Sequence, residues 1–507
     1  MKTIFRSRSK TWLGLLAAAL AFSGSGSLAN AADIHMADGV KAAEVTQTTA
    51  ILWTRLTRDP ERVIPGIPFP KIKREPRAAA PGDASKTAYE LNALMVSEPV
   101  SQEAQLQGHS LEEMEGAVPG KAGWVRVAYW PAESTEADAL KTPIKQVEAG
   151  TDFTHQVALR DLRPDTRYRY RFEAGQPGND TVAATAYGSF KTAPDAAASA
   201  KVTFTVANCQ DYARRDDPAN GHKIYPQMGA LHPDFFIHTG DLEYYDKPSP
   251  LATTVALARF KWNRIFALPF QRAFHREISN YFMKDDHDTL KDDAWMGQVY
   301  GELTWDQGLA LFREQVPIGE KPYRTIRWGK HVQIWLVEGR EFRSPNDMPD
   351  GPEKSIWGAE QKKWFYETVK NSDATFRVLI SPTPIEGPDR DTKGDNHSNK
   401  AFAHEGAELR QFIASQKNMV IVCGDRHWQY ASVDPETGLR EYSAGPSSDA
   451  HASGFSEADR SAPHRFLRIK GGFLSVTVEP SASGARAIFR HYDVDGKIQY
   501  EDVLTAP

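Results

Sequence analysis

Five short segments carry the side chains able to do chemistry: Asn208-Cys209-Gln210-Asp211, Gly240-Asp241-Leu242-Glu243-Tyr244, Asp285-Asp286-His287-Asp288, Asp395-Asn396-His397 and Gly424-Asp425-Arg426-His427. Together they hold a thiol, carboxylates, a phenol and imidazoles, which is the donor set of a site for two or more metal ions. Three of them follow apolar runs. Val202–Ala207 leads to Cys209, Phe235–Ile237 to Asp241 and Met419–Val422 to Asp425. Such runs, bounded by Gly or Asn, read as buried strands. In α/β sheets, ligands gather beyond the carboxyl ends of the strands, so these side chains are expected on one sheet edge.

Such a site suits phosphate-ester hydrolysis, which needs a strong oxygen nucleophile and neutralised phosphoryl oxygens. Paired metals supply both. Asp241, at the tip of a Gly-preceded strand, is the expected bridge between the ions. Tyr244 reaches back over the turn as a phenolate, and with the Cys209 thiolate it favours a hard trivalent metal. Asp286, Asp425 and His427 complete the shells. Cys209 and Cys423 are the two cysteines. A single disulfide between them is the alternative to a metal thiolate at Cys209 and a core residue at Cys423.

The elements that position these residues follow from patterning. A chain of 507 residues is too long for one core, so two domains are expected. Residues 39–58, 124–130, 153–159 and 167–172 alternate and are rich in β formers, which suggests a small antiparallel sandwich. Residues 59–121 interrupt it as a Pro-, Gly- and Ala-rich insertion with a short helix near Glu90–Val96. Residues 191–200 form a linker. From Lys201 onward strands alternate with helices. Residues 331–337 and 376–380 read as strands, 358–369 as a helix, and 472–503 return to β alternation.

The N-terminus reads as a targeting segment. Lys2, Arg6, Arg8 and Lys10 precede an apolar stretch, Trp12 to Phe22, too short to span a bilayer. Ala29-Asn30-Ala31 fits a cleavage site, so residues 1–31 are expected to be removed and the protein exported, periplasmic or extracellular, with no membrane anchor. With 25% charged residues and a net charge of −5, the chain has no basic excess for sustained nucleic-acid binding. A small phosphate ester is the expected partner, and a monomer the expected state.

The order of Cys209, Gly-Asp-x-x-Tyr, Asp-Asp-His-acid and Gly-Asp-x-His resembles the alkaline phosphatase D (PhoD-like) family of the metallophosphoesterase superfamily. Gly39–Arg55, Tyr168–Ala174, Lys191–Pro194 and the Gly-Ala-Glu-Gln start at 358 extend the resemblance over most of the chain outside 59–121. It implies Fe(III) held by Cys209, Asp241, Tyr244 and His427, and Ca(II) held by Asp241, Asp286 and Asp425, with other divalent metals as alternatives. It implies hydrolysis of phosphodiesters or phosphomonoesters by in-line attack of a metal-bound hydroxide, with His287 assisting the leaving group. Arg340 is the candidate phosphate clamp, and Asn396 and His397 are candidate contacts to metal or substrate. Arg426, between two ligands, is expected to point away, and Asp211 and Glu243 to be structural. The chain departs from the family pattern in four places. Arg6 and Arg8 are split by Ser7, Lys284 replaces a Trp, Asp288 a Glu, and Val337-Glu-Gly-Arg340 stands for Leu-Asp-x-Arg.

The expected architecture is an N-terminal β-sandwich of fibronectin or immunoglobulin type (32–190) and a calcineurin-like, four-layer α/β metallophosphoesterase domain with two mixed sheets (201–507). Two rivals remain: a phosphodiesterase acting on a polymer, and a non-catalytic surface-binding protein on a degenerate phosphatase fold.

Overall fold

The computed structural model describes residues 34–72, 98–390, 393–482 and 484–506. The targeting segment and the helix expected near Glu90–Val96 lie outside them. Among the described residues, no helix is long and apolar enough to cross a membrane.

The strands that carry the site are those the apolar runs predict. β1 (Val40–Ala43), β2 (Ala50–Arg55), β3 (Thr154–Leu159), β4 (Val202–Ala207), β5 (Phe235–His238) and β6 (Ser279–Phe282) belong to one nine-stranded sheet. β4, β5, β6 and β1 are mutually parallel, with Phe235 beside Phe204 and Ser279 beside both Phe235 and Ala42. The C-terminal strands Phe473–Ser481, Gly484–Tyr492 and Ile498–Ala506 complete this sheet as an antiparallel meander beside β4. A seven-stranded sheet holds β7 (Val332–Leu336), β8 (Phe376–Ser381), β9 (Met419–Cys423) and β10 (Arg440–Ala444) in parallel, flanked by antiparallel strands.

Both sheets are mixed, and they face one another across one apolar layer that includes Phe204, Val206, Ile237, Ile334, Val378 and Val422. Burying both faces requires helices outside. α2 (Val255–Phe266), whose Trp262, Ile265 and Phe266 are buried, covers the first sheet. α3 (Gly358–Lys370) and α4 (Ala403–Ala414) cover the second through Phe365, Val369, Leu409 and Ile413. α1 (Gln102–Leu106) is a short helix in the described part of 59–121. The order helix, sheet, sheet, helix is a four-layer α/β arrangement.

At the far end of the first sheet, β1–β3 pack against a separate five-stranded sheet built around Gly123–Pro131, Arg167–Gly175 and Ala184–Lys191. Leu52, Val127, Leu159, Tyr170, Phe172 and Phe190 fill the space between them. The N-terminal strands are therefore not a free-standing layer. β1 pairs directly with β6, and one sheet runs from the N-terminal region into the site.

Candidate metal centre

The carboxyl ends of β4, β5, β6 and β9 meet at one place. The chain turns sharply there: Cys209, Asp241 and Asp425 adopt left-handed φ values of 48°, 57° and 59°. For non-glycine residues each such conformation costs on the order of 1–3 kcal/mol, and strain of this kind gathers at functional sites. Gly240 is required, since a Cβ there would lie 2.7 Å from the Asp285 Cβ. The Cys209 N–H donates to Gly240 O at 3.2 Å and the Gln210 N–H to Asp241 O at 2.9 Å, so the two turns hold each other.

Asp241 is the hub. Its carboxylate shares clusters, with ligand atoms within 4.8 Å of one another, with Cys209 and His427, with Asp286 and His287, and with Asp285 and Asp425. Cys209 Sγ lies 3.5 Å and the Tyr244 hydroxyl 3.0 Å from Asp241 Oδ2, and the same hydroxyl is 3.4 Å from His427 Nε2. Cys209, Asp241 and Tyr244 are fully buried, and Asp425 and His427 are half-buried. Both cysteines are free thiols, and Cys423 packs with Trp428 and Tyr430.

The electrostatics fit cations. Asp241 Oδ1 and Asp285 Oδ2 are buried without a hydrogen-bond partner, a costly state for an acceptor. Burial, then the Asp241 charge, pushes the Cys209 thiol well above its ordinary range. Burial, then Asp241, raises the Tyr244 phenol likewise. Burial also holds the His427 imidazole neutral, the form that ligates metal. Thiol, phenol, imidazole and carboxylates around one hub suit a cation that favours their deprotonated forms.

His287 is anchored from behind. Its Nδ1 lies 2.6 Å from Asp246 Oδ1. Burial opposes its charge, but Asp246 and Asp286 outweigh this and raise it to about 10. Asp286 itself accepts from the His287 and Asp293 backbone N–H groups at 3.0 and 2.6 Å. Asp211 caps a short 3-10 turn by accepting from Ala213 N at 2.9 Å, and Glu243 pairs with Lys261 at 3.3 Å.

Four residues singled out in the sequence find partners within the protein. Arg340 leaves Nη1 and Nη2 without a hydrogen-bond partner. It is fully buried, its Nε donates to Asp285, and its Nη2 is 3.8 Å from both Asp286 and Asp395. Asn396 spends its amide on Asp389 at 2.7 Å and its carbonyl on Ser398, which orders the loop. His397 turns to Glu405 at 2.9 Å and packs edge-on against Trp357, away from the clustered ligands. Arg426 does not point away, since it pairs with Asp425 and, at 2.9 Å, with Asp389.

Sequence reasoning missed Asp285, Asp246 and His451. Asp285 stands beside a chosen ligand, and the turn after β6 brings both side chains inward. Asp246 lies two residues past Tyr244, and its pairing with His287 is a tertiary fact. His451 donates from Nδ1 to Cys209 O at 3.0 Å, and its ring lies tilted by 45° to that of His427, 4.2 Å between centres. No local signal marks it.

The PhoD-like phosphatase model matches residues 204–456, and the PhoD-like phosphatase N-terminal domain model matches residues 22–194. Alkaline phosphatase D of Bacillus subtilis (strain 168) is 23% identical over 387 residues, which is 63% of this chain and 63% of that protein. A solved structure of PhoD superposes with a TM-score of 0.65 at 16% identity, covering 93% of this chain and 89% of the other. Purple acid phosphatase PPD1 from yellow lupin gives a TM-score of 0.59 at 10% identity, covering 92% of this chain and 74% of the other. At these identities both structural likenesses carry the shared fold alone. With both family models matched in order along one chain, the protein belongs to the PhoD-like phosphatase family.

Proposed function

We propose that this chain is an exported, metal-dependent phosphoesterase that hydrolyses phosphodiesters, phosphomonoesters or both. The observation that carries the reading is the convergence of Cys209, Asp241, Tyr244 and His427 around one hub, with Asp286 and His287 on its other side. Cys209, Tyr244, His427 and Asp241 would hold Fe(III), and Asp241, Asp286 and Asp425 would hold Ca(II) or another divalent ion. When bound, such a pair supplies Lewis acidity and an acidified water.

The chain's own residues do the rest. The short link to Asp246 fixes the His287 ring and keeps a proton on Nδ1, which leaves Nε2 to hand a proton to the departing ester oxygen. Arg340 neutralises Asp285, Asp286 and Asp395 and so keeps the carboxylates in place. The half-buried Asp425 and His427 mark the open side, where a small ester enters.

In this reading residues 1–31 direct export, 32–190 act as a fibronectin- or immunoglobulin-like sandwich, 191–200 link, and 201–507 catalyse. The partner is a small phosphate ester, with no membrane anchor, no sustained nucleic-acid binding and a monomeric state.

The test is hydrolysis of bis-p-nitrophenyl and mono-p-nitrophenyl phosphate by the purified mature protein and by Cys209→Ala, beside metal content by plasma mass spectrometry. Turnover with iron in the wild type, lost in the variant, supports the reading. Zinc or manganese in place of iron overturns the metal assignment and keeps the hydrolase. No metal and no turnover favours the surface-binding alternative.

A further inference from the structure

Residues 59–121 have no evident place in the chemistry, yet their described parts touch the site-forming loops at several buried points. The loop from Tyr244 to Thr254 leaves β5 with the phenol at its start and returns at α2. From inside, the Lys261 ammonium of α2 donates to Tyr244 O, to Lys247 O at 2.9 Å and to Pro250 O at 3.1 Å, with Glu243 at 3.3 Å. Three carbonyls and a carboxylate around one buried ammonium make an internal cation that fixes the loop's curvature.

From outside, the grip comes from the insertion. The Gln105 amide of α1 is buried and pairs with Leu251 in both directions. Nε2 donates to Leu251 O at 3.0 Å, and Oε1 accepts from Leu251 N at 2.8 Å. Thr253 Oγ1 donates to Val100 O at 2.7 Å, and Ser249 Oγ to Pro70 O at 3.1 Å. The next links run inward. Ala252 N donates to Tyr245 O at 2.7 Å, and Tyr245 N to His287 O at 3.0 Å. A second grip reaches the thiol side. Arg62 donates to the Tyr212 hydroxyl at 2.6 Å and to Ala219 O at 2.8 Å, while Tyr212 lies between the Arg215 and Arg264 guanidinium groups, 3.9 and 3.8 Å from its ring centre.

We propose that the described parts of the insertion, residues 59–72 and 98–121, form the outer jaw of a clamp, with Lys261 as the inner jaw, and that Gln105 is a positioning residue for Tyr244 and His287. The inference rests on the metal reading above and adds to it the part that holds the phenol in place. Gln105 touches neither substrate nor metal. It acts through Leu251, Ala252 and Tyr245, and a buried amide that satisfies one backbone residue in both directions leaves that residue a single register. Residues that only orient ligands typically change metal affinity or activity by about 10–100-fold when replaced.

The experiment compares the purified wild type with Gln105→Met, which keeps the size and removes the side-chain hydrogen bonds to Leu251, Val100 and Thr253, and with Phe365→Leu, a control in the core under α3. Iron release to EDTA is followed by plasma mass spectrometry, beside the visible ferric–phenolate band, KM and kcat, and thermal midpoints. The clamp requires Gln105→Met to release iron about tenfold faster, to shift the band, and to lower kcat more than it raises KM. Phe365→Leu should lower the midpoint at least as far and leave release and band unchanged. Equal release and an unmoved band in Gln105→Met overturn the clamp while leaving the hydrolase intact. If the wild type carries another metal, its release rate decides in the same way. A wild type without metal removes the proposed function and the clamp together.

Discussion

The strand-end site and the five-stranded sheet handle charge in opposite ways. In the sheet, Arg126 and Arg171 share Glu173, Arg171 also meets Glu136, and these arginine side chains are 25% and 20% exposed. Water reaches these pairs from the arginine side, although the Glu173 side chain is only 3% exposed, and the apolar face opposite carries the packing through Tyr168, Phe172 and Phe190. At the strand ends the charges are buried. Asp241 Oδ1, Asp285 Oδ2 and two nitrogens of Arg340 lack hydrogen-bond partners, and three residues turn left-handed. One region is a scaffold whose ionic links open to water on the arginine side. The other is an arrangement that makes sense only with a guest.

The contrast breaks most sharply at the hub. Asp241→Asn should cost more than the roughly 10–100-fold typical of residues that merely orient ligands, with metal content falling alongside. Plasma mass spectrometry and phosphodiester turnover measure both. An active, metal-replete Asp241→Asn would erase the distinction between the regions.

A second prediction concerns stability. Lys284 lies 2.6 Å from both Glu338 and Glu341, and all three are largely buried. Lys284→Met leaves the Glu338 carboxylate without its cation, while Glu341 keeps Arg313 at 3.1 Å, and should lower stability by about 3–5 kcal/mol, read by urea unfolding. Glu338 also accepts from Arg340 N at 2.6 Å, so the same change should loosen Arg340.

A third uses acid. Burial would raise the Glu405 carboxyl, but hydrogen bonds from His397, Ser355 and the Ile356 N–H pull it from 4.5 down to about 2. A depressed carboxyl contributes stability above its unfolded value, on the order of 3 kcal/mol here, and loses it as pH falls through the folded value. Between about pH 5 and pH 2 the wild type should therefore lose more stability than Glu405→Gln, as measured by denaturant midpoints. The smallest effect belongs to the scaffold. Glu136→Gln leaves Arg171 its Glu173 partner and should change stability by no more than about 1 kcal/mol.

Much of this was legible in the sequence because the signal was local. Val202–Ala207, Phe235–Ile237 and Met419–Val422 are strands since β-branched and aromatic runs bury well on both faces, and the residues just past them had to gather at one edge. What stayed hidden depends on distance along the chain. The pairing of Ala42 with Ser279, which makes the N-terminal strands part of the site's own sheet, has no local cue. The same is true of Asp246 behind His287 and of His451 over His427. Lys284 and Glu338 looked like two unrelated departures from the family pattern, and in space they are one ion pair. Arg340 misled for a related reason. A strand-end arginine suggests an anion outside, and here the anions are the protein's own carboxylates.

Cys209 is expected to ligate the metal through sulfur. X-ray absorption at the edge of the metal found in the purified protein tests it directly, with Cys209→Ser measured beside the wild type. One sulfur scatterer is expected among the wild-type ligands, replaced by oxygen or nitrogen in the variant. A wild-type shell of oxygen and nitrogen alone, unchanged by the substitution, would contradict it.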